Sequence, residues 1–196
     1  MFYIASGTGK NYLAEVNEFN QLEVLSESIP SEGVQSQRGN GFIIHAECQT
    51  ASASSGALMS ITNNDSNYNL EITRIYIDPH VITPSDLIVT QVFDAILSGG
   101  TDVSSSAVVQ KNRGSAQSFD LSVLISDSSS NLTYSGGDQY HSFPVTSMSE
   151  IQRNIRYTNI LPRGKSVTFG WKTSGGGNAT DGEIVSLSVN VVRRPS

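Results

Sequence analysis

The chain has 196 residues, of which 37% are hydrophobic and 15% charged, and its formal net charge is −6. This length suits one large β domain, or one domain with an arm, and such a chain can bury about 70% of the surface that its unfolded form exposes. The negative charge argues against a nucleic-acid-binding protein, which would present a basic face. Recurrent Ile and Val argue against disorder.

The first 38 residues differ from the rest of the chain. Because the segment from Glu15 to Glu32 is acidic and alternates weakly, we predict an arm or extended segment over residues 1–38 and a β-sandwich domain over residues 39–196. An ordinary first strand followed by a loop is the alternative. Short strands are predicted at residues 2–5, 12–16 and 21–28. Apolar side chains outside a sandwich need a covering surface. Contact with a neighbouring subunit, or closure of one end of the domain's own core, is therefore predicted for Phe2, Tyr3, Tyr12, Phe19 and Leu22.

The stretch "GTGKN", residues 7–11, has part of the pattern of a phosphate-binding loop. That loop needs a glycine five residues before the Gly-Lys pair and a Ser or Thr after the lysine. Ile4 and Asn11 occupy those two positions. We therefore expect no nucleotide site here.

Further along the chain, apolar and polar residues alternate in short runs separated by turn clusters rich in Gly, Asn and Ser. A period of two indicates strands with one buried face. The number of short strands points to an antiparallel β-sandwich of jelly-roll type with little helix. Val167, Phe169 and Trp171 should lie on one inner face. The strands of this domain are predicted at residues 41–50, 57–62, 70–78, 87–97, 107–111, 118–126, 132–134, 166–173 and 184–193.

The polar run Asn63–Asn67 separates two of these strands. Asn and Asp favour turns because they bond their own backbone and tolerate left-handed conformations. The simplest prediction is a β-hairpin over residues 57–78, with the polar run as its corner; a surface contact is the alternative role. The alternation slips by one residue after Thr73. Either a bulge near Thr73–Arg74 absorbs that residue, or the strand is covered on both faces.

Two segments are ambiguous between helix and strand. Residues 84–97 could form a helix capped by Ser85, but their Val and Ile content favours a strand. The stretch "MSEIQRNIRYTNIL", residues 148–161, is the best helix candidate, with Ser149 as cap and Ile151 four residues before Ile155. Its β-branched residues and the following Pro162 limit that helix to one or two turns.

The sequence predicts neither a catalytic site nor a metal site. No serine lies in a G-x-S-x-G motif, and the three histidines have no metal-ligand spacing. His45 falls in a strand and is expected in the core or at an edge, whereas His80 and His141 are expected in loops. Cys48, the single cysteine, is expected to be a buried structural thiol. We therefore expect no enzyme activity and no cofactor.

Two small groups of basic residues are expected at the solvated surface or in subunit contacts. They are Arg153, Arg156, Arg163 and Lys165, and Arg193 with Arg194.

The N-terminus has no basic start and only a four-residue apolar run, so no signal peptide is expected. No window approaches ~18 apolar residues, so no membrane span is expected either, and synthesis is expected in a cytoplasm.

Four stretches in this order resemble a group of tailed-phage virion proteins. They are "FNQLEVLSES" at residues 19–28, "ALMSITNNDSNYNLEITRIYID" at 57–78, "KNRGSAQ" at 111–117 and "NILPRGKSVTF" at 159–169. The resemblance implies a β-sandwich that decorates or cements a capsid, or a component of a head or tail fibre. It implies no catalytic residues.

The expected function is therefore that of a virion structural protein that binds the major capsid protein across several subunits and stabilises the shell. A homo-oligomer, most simply a trimer, would suit threefold positions, and neither nucleic acid nor membrane is an expected partner. The alternative is a fibre module that recognises host-surface glycans. Four aromatic side chains would then stack on sugars, namely Tyr68, Tyr134, Tyr140 and Trp171. For Trp171, packing in the core is the favoured interpretation.

Overall fold

A computed structural model describes residues 2–5, 11–16, 22–23, 36, 38–80, 87–112, 114, 116–145 and 151–196. For residues 2–5, 11–16, 22–23 and 151–158 the description is of the backbone alone. The chain divides into two compact units, Met1–Pro30 and Ser31–Ser196. The first strand of the second unit begins at Gly41.

The first unit contains a small antiparallel sheet. Its strands are β1 (Phe2–Ala5), β2 (Asn11–Val16) and β3 (Leu22–Glu23). Strand β2 pairs with both of the others, so that Phe2 lies opposite Ala14 and Val16 lies opposite Leu22. Strands predicted at residues 2–5 and 12–16 are confirmed. The one predicted at 21–28 contains β3, and residues 21 and 24–28 lie outside the described part of the chain.

The second unit is built almost entirely from strands. One short helix, α1 (Ser104–Ala107), interrupts them in the described residues. The strands are β4 (Gly41–Gln49), β5 (Ser55–Asn63), β6 (Tyr68–Pro79), β7 (Leu87–Phe93), β8 (Ile96–Gly99), β9 (Thr101–Asp102), β10 (Val108–Gln110), β11 (Leu121–Ile125), β12 (Leu132–Ser135), β13 (Asp138–Val145), β14 (Ile151–Leu161), β15 (Ser166–Thr173) and β16 (Ile184–Pro195).

These strands form two packed sheets with antiparallel pairing throughout the described residues. The first sheet has the order β10-β4-β16-β6-β14, and the second has the order β13-β7-β15-β5-β11-β9, with β12 joining β5 to β8. Strands β4, β5, β6 and β7 pair with β16, β15, β14 and β13 respectively. The pairs are therefore nested, and successive pairs lie alternately in the first and the second sheet. The predicted antiparallel β-sandwich is confirmed.

The core lies between the two sheets and takes its apolar side chains from the inward positions of the longer strands. On β15 the predicted inner residues Val167, Phe169 and Trp171 are all buried, as expected. Cys48 is also fully buried in this core, which confirms the predicted burial of its thiol. Each fully buried large apolar side chain contributes about 1.5–3 kcal/mol to folding. The apolar residues at every second position of β15 therefore all contribute to the core.

The predicted hairpin over residues 57–78 is wrong. Strand β5 belongs to the second sheet and β6 to the first, so Asn63–Asn67 crosses from one sheet to the other. The alternation correctly identified the buried faces, but it carries no information about which strand lies alongside. The interpretation of the polar run as a corner is confirmed, because Asn67 N–H bonds the Asp65 carboxylate and Asp65 N–H bonds the Asn63 side chain.

The phase slip in β6 is a β-bulge, as one of the two alternatives predicted. Asn190 of β16 lies opposite Arg74, whereas its neighbour Val191 lies opposite Ile72. Thr73 is thus the additional residue, and its hydroxyl donates to the Asn190 carbonyl at 3.2 Å. The bulge restores the apolar phase, so that residues on both sides of it remain in the core.

The predictions for the late strands were less accurate. The helix candidate at residues 148–161 is wrong, because residues 151–161 form β14 at one end of the first sheet; Ser149 lies outside the described residues. Pairing with β6 overrides weak helical spacing in a segment rich in β-branched residues. Strand β13 was not predicted, since exposed polar residues fill its first half on both faces. A strand rather than a helix at 87–97 is confirmed, as β7 and the start of β8.

Candidate functional site

The predicted contact residues of the N-terminal segment are distributed over its small sheet. Phe2 and Tyr3 lie on β1, Tyr12 lies on β2 opposite Ile4, and Leu22 begins β3. Phe19 lies outside the described residues. The backbone therefore places four of the five predicted residues in one three-stranded sheet.

The described part of the second unit carries an open trough of about 560 Å³ on the outer face of the first sheet. Strand β16 forms its floor with small or short polar side chains, and β4 and β6 form its two walls. We call this feature the polar trough. Its lining residues are Ile43, His45 and Glu47 on β4, Tyr76 and Asp78 on β6, His80 directly after β6, and Ser186, Ser188 and Asn190 on β16.

Strand alternation explains why these side chains face outward. Residues between them, such as Ile44 on β4, Ile77 on β6 and Leu187 on β16, are fully buried in the core. Their neighbours must therefore point to the opposite face. Because the floor carries serines while the walls carry longer side chains, the centre of the sheet is lower than its flanks.

The register places the trough residues in rows across three strands. Ser186 lies between Glu47 and Asp78, and Ser188 lies between His45 and Tyr76. Neighbouring strands are about 4.8 Å apart, so the two walls stand roughly 10 Å apart across the floor. Each serine is therefore flanked by larger polar side chains on both sides.

Two histidines bond the serines of the floor. His45 Nδ1 is 2.7 Å from Ser188 Oγ, and His80 Nε2 is 2.6 Å from Ser186 Oγ. His45 lies on a strand but is exposed, so the expectation of a core position is wrong. It directly follows Phe42–Ile44, the part of β4 that pairs with β10, which agrees with the alternative of an edge position. His80 follows β6 as expected for a loop residue, whereas His141 lies on β13, contrary to expectation.

The backbone beside the two serines offers no donors for an oxyanion. In acyl transfer an oxyanion is stabilised by backbone N–H groups or by donor side chains. Ser186 and Ser188 lie on a strand that is paired on both sides, so its backbone groups are used in the sheet. Among the described residues, no group of three or more His, Cys, Asp and Glu side chains is arranged to hold a metal ion.

The four aromatic residues considered for sugar stacking do not converge on one surface. Trp171 is 1% exposed and belongs to the core, as favoured from its alternation. Tyr68 lies on β6 with the Arg193 guanidinium 4.2 Å from its ring centroid. Tyr134 and Tyr140 lie on β12 and β13, and Tyr140 is exposed.

Arg193 also corrects the expectation that the C-terminal basic pair is solvated. Its side chain is 8% exposed and donates to the Asn40 side chain and to the Ser118 carbonyl. Arg194 forms an ion pair with the buried Glu71, whose carboxylate raises the pKa of the guanidinium. These arginines therefore stabilise the end of β16.

Sequence reasoning did not identify the polar trough. Its signal is present as polar residues at the outward positions of three strands, in "HAE", "YIDPH" and "SLSVN". Each stretch alone looks like an ordinary solvated face. The site exists only because β16 inserts between β4 and β6, and this adjacency cannot be read from spacing.

Comparison with known protein families, curated proteins and solved structures found no match. Within the described ranges, no helix is long and apolar enough to cross a membrane. The function is therefore inferred from the sequence and from the arrangement of its residues in the fold.

Proposed function

We propose that the chain is a structural protein of a tailed-phage virion, most simply a decoration or cement protein that binds the major capsid protein and stabilises the shell. The observation that carries this proposal is the separate N-terminal unit, Met1–Pro30, with its three short strands. Such a unit can attach a folded body to another protein.

A unit of this size needs a stabilising surface. Below about 40 residues, domains generally depend on disulfides, metals or oligomerisation for stability. The single cysteine, Cys48, lies in the second unit, so no disulfide can form within the first. The proposal assigns the covering surface to capsid subunits, with contact through Phe2, Tyr3, Tyr12, Phe19 and Leu22.

The winding of the second unit supports a jelly-roll interpretation. Eight strands, β4 to β7 and β13 to β16, pair in nested order across two sheets. Jelly rolls are eight-stranded double Greek keys that occur in viral capsid and lectin domains. Strands β8 to β12 are then an insertion between the fourth and fifth strands of that pattern. The fold alone does not fix the function, so the proposal depends mainly on the separate N-terminal unit, Met1–Pro30.

Binding across several capsid subunits would multiply weak contacts. A specific interface needs more than about 1,000 Å² of buried surface, and a thirty-residue unit in each copy supplies only part of such an interface. A trimer placed on a threefold position would present three such units at once, which raises avidity without a new contact.

The proposal is tested with purified full-length protein and expanded capsids that lack decoration. We expect stoichiometric binding and a higher capsid rupture temperature. Deletion of residues 1–30 should abolish binding, while Trp171 fluorescence verifies that the second unit remains folded. Full-length variants Tyr3→Ser and Tyr12→Ser should weaken binding without deleting any backbone. The capsid-attachment proposal is wrong if the full-length protein does not bind capsids. It is also wrong if the deletion and the two tyrosine variants bind as tightly as the full-length protein does.

A further inference from the structure

We propose that the polar trough is a carbohydrate-binding site for uncharged or amino sugars. This inference does not depend on capsid attachment, because the trough lies wholly in the second unit. It gives a location and a ligand class to the alternative function of glycan recognition, with residues different from the aromatic set considered above.

The shape of the trough suits an elongated ligand. Its floor runs from Ser186 to Asn190, four residue steps along β16, or about 14 Å at the rise of an extended strand. Its volume of about 560 Å³ lies within the ordinary range for small-ligand sites. The open top would allow a longer chain of sugars to continue past both ends.

The lining offers the donors and acceptors that vicinal hydroxyl groups need. Glu47 and Asp78 are exposed acceptors on opposite walls, in the same row as Ser186. The histidines each use one ring nitrogen for a serine, which leaves Nε2 of His45 and Nδ1 of His80 to bond a ligand hydroxyl. A hydroxyl both donates and accepts, so it can satisfy carboxylate, imidazole and serine groups in turn.

Charge sets the expected selectivity. The described lining contains two carboxylates and no Lys or Arg, so an acidic sugar would meet repulsion, whereas an amino group would be attracted. Arg74 lies opposite Asn190, at the end of the floor, and its Nη1 donates to the Tyr76 hydroxyl at 2.9 Å. That bond also fixes the orientation of the Tyr76 phenol on its wall of the trough.

An extended peptide is a weaker candidate for this surface. Peptide strands usually add to a sheet edge, where main-chain groups are available, whereas β16, the floor of the trough, is paired on both sides. A basic peptide could still be attracted by the two carboxylates, so a lysine peptide belongs in the test.

The test uses the isolated full chain, so its result is independent of capsid binding. Saturation-transfer NMR is recorded with glucose, galactose, N-acetylglucosamine, glucosamine, glucuronic acid, sialic acid and trilysine. We expect at least one neutral or amino sugar to bind with a dissociation constant of about 1 mM or tighter. On titration, the ring signals of His45 and His80 should shift, and those of His141 on the second sheet should not.

Variants then locate the site. Glu47→Gln and Asp78→Asn remove a charge with little change in volume, and Ser188→Tyr fills the floor; each should weaken sugar binding at least ten-fold. Asp138→Asn, an exposed change on β13, is the matched control and should bind as the wild type does. The inference is overturned if no sugar binds, if the acidic sugars or trilysine bind in preference, or if only His141 responds. It is likewise overturned if the three trough variants bind like the control.

Discussion

Replacing Asn63 with alanine should destabilise the second unit by about 3 kcal/mol. Asn63 is fully buried at the crossing between β5 and β6. Its Nδ2 donates to the carbonyls of Tyr68 and Leu161 at 3.0 and 2.9 Å, and its Oδ1 accepts from Asp65 N–H at 3.0 Å. One amide therefore joins the β5–β6 crossing to the end of β14.

The magnitude follows from three lost hydrogen bonds. Each contributes about 1 kcal/mol net, and buried groups left without partners push the cost upward. For a domain of this size, 1 kcal/mol corresponds to roughly 2–4 °C in melting temperature. About 3 kcal/mol should therefore lower the melting temperature by roughly 6–12 °C. Asn63→Asp should cost more at pH 7, because a carboxylate would face two carbonyl oxygens, and the difference should shrink as acid protonates it.

Urea unfolding followed by Trp171 fluorescence is the appropriate assay, because this single tryptophan is buried in the core and reports on the second unit. Asn64→Ala is the matched control, since it removes one half-buried bond to Ser122 Oγ, and should cost about 1 kcal/mol or less. A loss below about 1 kcal/mol for Asn63→Ala, or a loss equal to that of the control, would refute the assigned role of this amide.

Three further measurements test other contacts. Hydrogen bonds from the Ser129 hydroxyl and N–H lower the pKa of Asp127 from 3.8 to about 2. The resulting stabilisation is present above pH ~4 and is lost as the pH falls towards 2. Asp127→Asn should therefore flatten that part of an acid-unfolding curve. A Cβ on Gly170 would lie 2.5 Å from Tyr134 Cε1, so Gly170→Ala should cost about 1–3 kcal/mol in urea titrations, and Tyr134→Ala should relieve most of that clash in the double variant. Burial raises the pKa of the Cys48 thiol, so a thiol reagent should label it only as fast as the native protein unfolds, as followed by mass spectrometry.

Local alternation predicted the strands better than it predicted their neighbours. The inner residues of β15 and the phase slip at Thr73 were both correct, because each depends only on which face of a strand is buried. The hairpin at Asn63 was wrong because a turn sequence suits a crossing between sheets as well as a return within one sheet. Nested pairing over more than a hundred residues, such as β4 with β16, leaves no local signal.

The polar trough illustrates the same limit for function. His45 and Ser188 are 143 positions apart in the chain, yet their side chains are 2.7 Å apart in the fold. Neither residue lies in a motif, and each sits in a run that alternates as any half-exposed strand does. Only the placement of β16 between β4 and β6 turns three ordinary polar faces into one lined depression.

The extra residue in β6 determines which side chains reach that depression. Leu70 and Ile72 are buried in the core, and uninterrupted alternation from them would turn Tyr76 inward. Because the bulge takes up Thr73, the next two isoleucines remain in the core and Tyr76 turns outward, followed by the rest of its wall. The core and the candidate carbohydrate site therefore depend on the same irregularity.

Deleting Thr73 removes the additional residue, and Ile72, Ile75 and Ile77 would then follow one another on the core face by regular alternation. The deletion should therefore cost no more than about 1 kcal/mol, from the lost bond to the Asn190 carbonyl, and should leave sugar binding intact. Loss of the core fold or of sugar binding in urea and NMR titrations would contradict the assignment of Thr73 as the bulged residue.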